Sequence, residues 1–576
     1  MGIKLGNTSI GTVYYGATRV GQMYLGSTKL FDSNPIDPNP LNLPAYTMRF
    51  QFGDTSYDPT QFSWKSGAAW TQVSSSPNVW DYTRNDTYWD EEFKNKYASV
   101  RNQVDVLGAN TTGVETTSSM FEGCSGLVNT CFFDLSDVSI SVRMYQHCTN
   151  LVSAPAYHLS SCVNISGMFE GCTSLVSVGM MDTSNVENAT ETFRDCTSLT
   201  QIAPLNLSRV TTLYSFCLGC TSLVTSPAFI TSNTLTTIAN MFSGCTRLEN
   251  VGIFNTHGVV SASGCFTNCS NLQNAPALDF YSLTNAANMF SYCSSLTYLP
   301  PSIDFYSVTT ARGMFRDCTS LVSLPNTLDM PYVQDASYMF SGCSSLTALP
   351  QNITFQRVTN ASNMFIDCSS LSSLPSGLSF SNATSLSQTF DGCTSLTSIP
   401  SLTCPNVTST WKMAMDCTSL LSVGNITMVS LTNSSNMFRN CTTLSSVGTF
   451  TTPNLTDTSD MFASTGITSI PSITTSNVTD ASYMFASCGS LTTIGNLNTS
   501  SMSNVANMFQ GCINVQSGAL SMYTQMSSQT IPPSTHVSCF SGCGSSTQTG
   551  LAELAQIPTD WGGNMQPQQN IEIEEE

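Results

Sequence analysis

The chain has 576 residues, a net charge of −19 and only 18 Lys and Arg residues. Binding to nucleic acid or to an anionic membrane surface needs clusters of basic residues, so this composition argues against both kinds of partner. No run of about 18 apolar residues is present, so we expect no membrane insertion. The first residues also lack the apolar run of a signal peptide, which predicts that the protein reaches a surface by assembly and not by ordinary secretion.

Residues 1–31 carry a repeat with a period of ten residues, in which Gly6, Gly16 and Gly26 recur in register. Apolar residues alternate between the Gly-x-Thr turns, a pattern that predicts short β hairpins. About thirty such residues can hardly form a stable domain alone, so we expect them to fold against a partner or against copies of themselves. The segment is therefore predicted to be a β anchor for assembly, with contact side chains Tyr14, Tyr15, Tyr24, Leu25 and Phe31.

The next two segments differ from everything that follows them. Residues 32–45 contain Asn-Pro-Ile-Asp-Pro-Asn-Pro and predict a stiff linker. Residues 46–108 hold four of the six Trp residues, which indicates a compact core of their own. The alternating stretch 47–52 predicts a strand, and the acidic start of 90–97 predicts a helix. We expect a small α/β capping domain, because the exposed end of a stacked repeat would pair with other chains.

Between residues 109 and 545 a motif of the form Met-Phe-x-x-Cys-x-x-Leu recurs at a spacing of 24 or 25 residues almost throughout. Thr465 takes the Cys position once. Within one repeat, residues 345–349 alternate polar and apolar side chains and predict a short strand, whereas 336–340 predict a helical or 3₁₀ turn that packs inward. One repeat cannot bury its apolar face alone. The sequence therefore predicts a leucine-rich-repeat-like solenoid of about 18 stacked rungs, each with a parallel β strand and a short helical turn.

The 23 cysteines raise the question of disulfides or metal binding. Equivalent residues on adjacent rungs have parallel Cα–Cβ vectors about 4.8 Å apart, whereas a disulfide needs converging vectors about 3.8 Å apart. Cys217, Cys265 and Cys539 stand at Phe or Met positions of the motif, which favours core substitutions over a zinc site. We expect a core ladder of buried free thiols that includes Cys172, Cys196, Cys245, Cys293, Cys318, Cys343, Cys368, Cys393 and Cys441.

Beyond residue 545 the motif stops. Residues 546–576 are predicted to form a C-terminal cap, with a helix around Leu551 and with Trp561 closing the final rung. The last six residues form a short acidic tail of the kind that is more often a solvated end than a functional site.

Residues that carry chemistry are sparse. The four His residues fall at unrelated registers. Asp317, Asp367 and Asp416 share the position just before the ladder Cys, but successive members are two rungs or about 10 Å apart, which suits solvated turns and not paired carboxylates. We expect no catalytic residue, cofactor or metal. The binding face stays open between the sheet side and the opposite loops, where the aromatic candidates are Tyr298, Tyr306 and Tyr332.

Two stretches resemble known proteins. The Met-Phe-Ser-Gly-Cys-Ser-Ser-Leu-Thr unit, with Asn-Val-Thr upstream, resembles the BspA-like leucine-rich repeat of bacterial and protozoan surface proteins, whose members mostly bind and adhere. The decapeptide of residues 1–31 resembles segments near the ends of tailed-bacteriophage virion proteins, where they are thought to dock or link components. These resemblances imply a fold and a role in recognition, and the second implies a place in a phage particle.

The two resemblances together imply a non-enzymatic structural or adhesion protein of a phage virion. It would be assembled in the host cytoplasm, attached through residues 1–31 to other virion proteins, and exposed on the particle as a tail or head fibre that recognises a host-surface glycan or protein. A trimeric state stays open. So do two other functions: a cellular BspA-like surface adhesin, and a solenoid polysaccharide depolymerase, which would need a groove of carboxylates at matching rungs.

Overall fold

The computed structural model describes residues 41–53, 58–61, 64–73, 78–95 and 104–563, together with the backbone of four short strands nearer the start. Those strands form two antiparallel pairs, Lys4–Leu5 with Thr8–Ser9 and Gln22–Leu25 with Thr28–Asp32, as the hairpin pattern predicts. The chain divides into two compact units, one made of residues 1–235 and 251–255 and the other of residues 236–250 and 256–576.

The first unit is built on one sheet in which the strands of the cap continue into the strands of the rungs. The rung strands pair in parallel, and Val104–Asn110 joins them in parallel before the sheet turns antiparallel in the cap. In spatial order the eight strands are Gln201–Ile202, Ser177–Val178, Ser153–Ala154, Leu127–Asn129, Val104–Asn110, Thr47–Phe52, Val79–Thr83 and Ala69–Gln72. A second parallel pair joins Leu205–Asn206 to Phe229–Ile230.

The helix predicted over 90–97 is wrong for the part of it that the structure describes. Residues up to 95 form turns in which Glu91 and Asn95 have φ of 54° and 56°. Their N–H groups donate to carbonyls of the following rung at 2.8 and 2.7 Å, and the ring of Phe93 stacks on Phe121 at 5.1 Å. The neighbouring rung supplies hydrogen-bond acceptors that an isolated helix would not use, so this segment is the first rung of the stack.

The described part of the cap is therefore β and not α/β. Besides its strands it contains the single 3₁₀ turn Pro59–Gln61, and no α-helix occurs in its described ranges. Its core includes the fully buried Glu92, which accepts hydrogen bonds from the Tyr82 hydroxyl and the Arg84 guanidinium. This network fastens the antiparallel strands of the cap to the first rung.

In the rungs of the second unit, successive backbone N–H groups alternate between two directions. In the rung of Cys318, Met314 and Cys318 donate to carbonyls three residues earlier at 3.1 Å, whereas Gly313 and Phe315 donate to the next rung at 2.8 and 2.9 Å. The short helical turn expected in each rung is thus a series of overlapping reverse turns, with every second N–H left to hold the neighbouring rung. This alternation satisfies the backbone without a continuous strand or helix.

The interior of the rungs repeats one set of buried side chains. The rings of Phe315, Phe340 and Phe365 are fully buried and stack almost in parallel, with centroids 5.6 and 5.4 Å apart. The Leu three residues after each ladder Cys is buried too, as at Leu321 and Leu346. Parallel pairing of identical rungs around one apolar interior confirms the predicted repeat solenoid within each unit.

Regular elements of the second unit are short, and many rungs pair through single bridges instead of strands. Its strands are Ser398–Ile399, Ser422–Val423 and Ser446–Val447 in one parallel sheet, and Leu402–Thr403, Ile426–Thr427 and Phe450–Thr451 in another. The predicted C-terminal helix is present as Gln548–Leu554, followed by the 3₁₀ turn Thr559–Trp561. Trp561 is buried, and its carbonyl accepts the Phe540 N–H at 2.8 Å, so it closes the last rung as predicted. The helix Ala519–Ser527 was not predicted; it fills the long interval before Cys543.

Candidate binding surface

The predicted ladder cysteines all lie in the core as free thiols, but they do more than fill space. All nine are buried. The Sγ of Cys318 donates to the carbonyl of Phe290 at 3.1 Å, and that of Cys343 donates to Phe315 at 3.1 Å. The same carbonyl also accepts the N–H of its own rung's Cys, so each thiol adds a bond between rungs. Burial raises the pKa of Cys293 to about 12, which keeps that sulfur protonated as a donor.

Thr465 shows what happens where the ladder lacks a thiol. Its hydroxyl donates to the carbonyl of Phe462 in its own rung at 2.7 Å instead of reaching the preceding rung. The following Cys488 still donates to Phe462 at 3.0 Å. A hydroxyl therefore replaces the thiol locally without continuing the bond between rungs on that side.

The predicted anchor residues lie largely outside the part of the chain that the structure describes. Tyr14 and Tyr15 fall between the described strands. Tyr24, Leu25 and Phe31 lie in the two antiparallel strands given above, of which the structure describes the backbone only.

Two columns of residues on the turns adopt a left-handed backbone. They stand five residues and one residue before each ladder position, and we call them the left-handed columns. In the second column Asp317, Asp367 and Asp416 have φ of 56°, 60° and 59°. Gly, Asn and Asp adopt this conformation at the lowest cost, so the three aspartates have a structural reason for their position.

Neighbours within the second column are matched in size from rung to rung. A Cβ added at Gly342 would overlap the carboxylate of Asp317, and one added at Gly392 would overlap that of Asp367. Where no glycine follows, Asn440 donates to Asp416 Oδ1 at 2.7 Å. In this column the side chain of one rung thus fills the space beside the backbone of the next rung.

Three tyrosines of the left-handed columns occupy a backbone conformation that does not favour them. Tyr292, Tyr338 and Tyr483 have φ of 61°, 59° and 56°. A bulky residue in this region costs roughly 1–2 kcal/mol relative to a right-handed conformation. Such a conformation persists only where the surrounding structure stabilises it. Tyr292 and Tyr483 are more than 40% exposed, so burial of their rings does not explain why tyrosine stands at these positions.

Two of these tyrosines form a cluster with two arginines, which we call the Arg–Tyr cluster: Tyr292, Arg312, Arg316 and Tyr338. The guanidinium of Arg316 lies 5.5 Å from the ring centroid of Tyr292 and 5.4 Å from that of Tyr338, so it bridges rungs on either side of its own. The guanidinium of Arg312 lies 5.2 Å from the same Tyr338 ring and donates to Ser337 Oγ at 3.0 Å. Cation–π contacts of this kind are worth about 0.5–1 kcal/mol each at exposed sites.

The charges of the Arg–Tyr cluster are only partly compensated. Arg316 Nε lies 3.3 Å from Asp317 Oδ2, but no carboxylate among the described residues lies within ion-pair distance of Arg312. The cluster therefore carries two guanidinium groups on one tyrosine ring against one carboxylate. By contrast, Arg194 in the first unit lies within 3.9 Å of three carboxylates, those of Glu170, Glu191 and Asp195.

A second group of aromatic and basic side chains lies on neighbouring rungs of the same unit, and we call it the edge cluster: Tyr306, Tyr332 and Arg357. The Tyr306 and Tyr332 rings meet edge to face at 5.4 Å, and the Arg357 guanidinium lies 4.6 Å from the Tyr332 centroid. Tyr306 is 48% exposed. Tyr298, the third aromatic candidate from the sequence, is equally exposed but pairs with Asn274 on the sheet side.

The sequence reading found Tyr306 and Tyr332 and missed the Arg–Tyr cluster. A signal was present, because the column five residues before the ladder contains Asn288, Gly313 and Asn363 around Tyr338. A bulky aromatic residue among these Gly and Asn residues indicates that the side chain has a role beyond forming the turn. This signal can be recognised only once the structure shows that the column is left-handed.

Two further features of the described residues concern metal ligands and membrane-spanning helices. Across 104–563 and the shorter described ranges, no three His, Cys, Asp or Glu side chains converge as a metal site requires. Nor does any helix in these ranges have the length and apolar character to cross a bilayer.

Comparison with known families gives one match that recurs along the chain. The profile of a family described as "Mycoplasma protein of unknown function, DUF285" matches residues 87–204, 115–229, 199–299, 236–354, 300–404, 347–446 and 406–523. Together the matches span about three quarters of the chain. They begin at residue 87, in the first rung that the structure adds before the cysteine motif. Among curated proteins no relative was found.

Three solved structures are distantly similar. The crystal structure of a TLR13–ssRNA13 complex shares 13% identity over 71% of this chain and 73% of that one, with a TM-score of 0.19. The plant peptide hormone receptor RGFR1 in complex with RGF2 shares 13% over 68% and 66%, with a TM-score of 0.17. The Toll–Spatzle complex of Drosophila shares 12% over 66% and 55%, also with a TM-score of 0.17. TM-scores this low carry no argument about the fold, which is described from the rungs alone.

Proposed function

This chain belongs to the DUF285 family, and from that premise we propose that it is a non-enzymatic recognition protein whose ligand binds the Arg–Tyr cluster of the second unit. The observation that carries the proposal is the Arg–Tyr cluster. Tyrosine and arginine are the residues most enriched where binding energy concentrates in interfaces. Here they are placed on rungs that neighbouring rungs hold by backbone hydrogen bonds, so little order is lost when a ligand binds.

We propose further that the protein is a virion component of a tailed phage, attached through residues 1–31 and presenting the solenoid to the host as a tail or head fibre. The support is the resemblance of the ten-residue repeat to virion segments. The partners in this proposal are other virion proteins at the anchor and a host-surface glycan or protein at the rungs. The ladder of free thiols agrees with assembly in a reducing cytoplasm.

A second candidate is a cellular surface adhesin built from the same repeats. The family description names a cellular organism, and this favours it. The two candidates predict different locations for the protein and the same kind of binding surface.

Labelling whole particles with antibodies raised against the full chain, viewed by electron microscopy, separates the two candidates. Regular labelling at one site of the particle is the expected result. Labelling confined to the surface of cells that express the gene would contradict the virion proposal and support the adhesin.

Binding of the purified full chain to host cells tests recognition itself. We expect saturable binding that the double substitution Arg312→Gln/Arg316→Gln weakens about tenfold or more, since each bond to a charged group contributes about 1.5–3 kcal/mol. The matched control is Arg194→Gln, because Arg194 is already neutralised by three carboxylates. Absence of saturable binding would overturn the proposed function, and release of sugar fragments from host glycan would overturn its non-enzymatic part.

A further inference from the structure

The Arg–Tyr cluster carries more positive than negative charge. Both guanidinium groups lie within 5.5 Å of the Tyr338 ring centroid, and they share a single nearby carboxylate, that of Asp317. An anion bound beside these guanidinium groups would balance the positive charge that Asp317 leaves uncompensated. The excess positive charge is notable on a chain with a net charge of −19.

A purely structural role does not account for this arrangement. Two arginines on other rungs lie against carboxylates. Arg194 has three carboxylates within 3.9 Å, and Arg209 contacts Glu187 at 2.7 Å. Arg312 is exposed and has a tyrosine face and a serine hydroxyl in place of a carboxylate. The left-handed backbone at Tyr338 adds a cost that an Asn at the same place would avoid.

We propose that the Arg–Tyr cluster binds the carboxylate of an acidic sugar within a host-surface polysaccharide. This inference rests on the proposed recognition function and names its ligand. The planar guanidinium forms paired hydrogen bonds with a carboxylate, which gives Arg312 and Arg316 their role. Tyr338 positions both groups and offers its hydroxyl to the sugar.

The surroundings favour a glycan over an acidic peptide. A peptide ligand usually buries apolar side chains in pockets beside its charged contacts. The residues that flank the cluster in the left-handed columns are instead small or polar, namely Asn288, Gly313, Gly342 and Asn363. Amides of this kind hydrogen-bond to the hydroxyl groups that cover a sugar.

A polymer with repeated carboxylates fits better than a single sugar. Arg357 of the edge cluster is exposed, stands two rungs after Arg316 and has a tyrosine face as its neighbour. Two rungs correspond to about 10 Å along the stacking direction. A chain of uronic acids presents carboxylates repeatedly, so a molecule long enough to reach both clusters would gain from their combined affinity.

Binding of the full chain to polygalacturonate, measured against its fully methyl-esterified form, tests the proposal with charge as the only variable. We expect binding to the acid polymer that weakens as salt rises, and little binding to the ester. Arg312→Gln/Arg316→Gln is expected to weaken it about tenfold or more. Equal binding to acid and ester would overturn the proposal.

Two controls keep the result interpretable. Tyr483→Asn changes a tyrosine with the same register and backbone conformation as Tyr338, but without an arginine over its ring, so polygalacturonate binding should stay unchanged. Tyr338→Asn suits the same backbone and is expected to lower binding without unfolding the rung. An equal loss in both tyrosine variants, or tighter binding to poly-glutamate than to polygalacturonate, would refute the assignment to an acidic sugar.

The host-cell assay separates this inference from the function it rests on. If the chain binds host cells and the double arginine variant binds them equally well, the sugar carboxylate is wrong while recognition stands. If the chain binds polygalacturonate but not host cells, the ligand chemistry stands and the proposed host recognition falls.

Discussion

The interior of the rungs and their left-handed columns follow opposite rules, although they alternate along the same stretch of chain. The interior repeats one set of residues, with Phe315, Phe340 and Phe365 stacked at nearly equal spacing. The columns vary from Gly to Tyr at a backbone conformation that never changes. Because the interior residues repeat, each rung can stack on any other. Because the column residues vary, each rung presents different side chains on its surface. The difference teaches that the side chains free to vary from rung to rung stand where the backbone is left-handed.

The interior should be the more sensitive region, and Phe340→Ala tests this with the largest expected effect. The substitution removes a ring stacked on both sides and opens a cavity, for an expected loss of about 3–5 kcal/mol in the free energy of unfolding. Urea unfolding followed by circular dichroism measures it. Val322→Ala, at a side chain that is 48% exposed, serves as the control and should change stability by no more than about 0.5 kcal/mol. Equal effects would erase the distinction between interior and surface.

The thiol bond between rungs should make a smaller contribution. Cys343→Ala removes the donor to the Phe315 carbonyl and a little volume, and we expect a loss of about 1–2 kcal/mol. Cys343→Thr, patterned on Thr465, should lose less because the hydroxyl can donate within its own rung. The measurement is again the free energy of unfolding in urea. An Ala variant as stable as the parent would mean that the cysteines are filling space only.

On the columns, substitution should have the opposite sign. Tyr483→Asn relieves a strained backbone and is expected to raise the free energy of unfolding by about 0.5–1 kcal/mol. Tyr338→Asn relieves the same strain but loses two cation–π contacts, each worth about 0.5–1 kcal/mol, so we expect a net loss of about 0.5–1 kcal/mol. Thermal unfolding of the two variants side by side measures the difference. If both variants gain the same stability, the contacts of the two arginines with Tyr338 contribute nothing to the free energy of unfolding.

The smallest effect concerns a buried carboxyl group next to the columns. Burial raises the pKa of Asp391, so the folded chain holds this proton more tightly than the unfolded chain. Its contribution to stability is therefore full at pH below the ordinary range of Asp and is lost as the pH rises through the raised value. Asp391→Asn should be more stable than the parent at pH 7 and equal to it at pH 3, as read by thermal unfolding. An unchanged pH profile would contradict this, and Asp367→Asn, at an exposed position, is the control.

The sequence could predict the interior because its pattern is local and repeated. The Met-Phe-x-x-Cys-x-x-Leu motif identifies the buried side chains without reference to other rungs, and the C-terminal helix and Trp561 follow from equally local signals. The columns could not be predicted in the same way. Residues 336–340 carry the apolar spacing of a helical turn, and only the acceptors on the next rung make the backbone at Tyr338 left-handed.

The same physical reason accounts for the error near residue 90. Glu91 and Asn95 suit the start and the polar face of a helix when they are read alone. In the stack their N–H groups find carbonyls of the following rung, and this outweighs the local preference. The Arg–Tyr cluster could not be predicted for a related reason, because Arg312, Arg316 and Tyr338 are separated along the chain and meet only when rungs stack.

The matched sizes in the second left-handed column restrict how such a gene can change length. If the rung of Asp317 were copied alone, a carboxylate would lie above another carboxylate, in the space that Gly342 leaves free. Duplication or loss of two rungs together keeps each Asp beneath its Gly, as at Asp367 and Gly392. Between Asp317 and Gly392 we therefore expect duplications of two rungs to be tolerated better than duplications of one, which would change the length of the gene by about fifty codons.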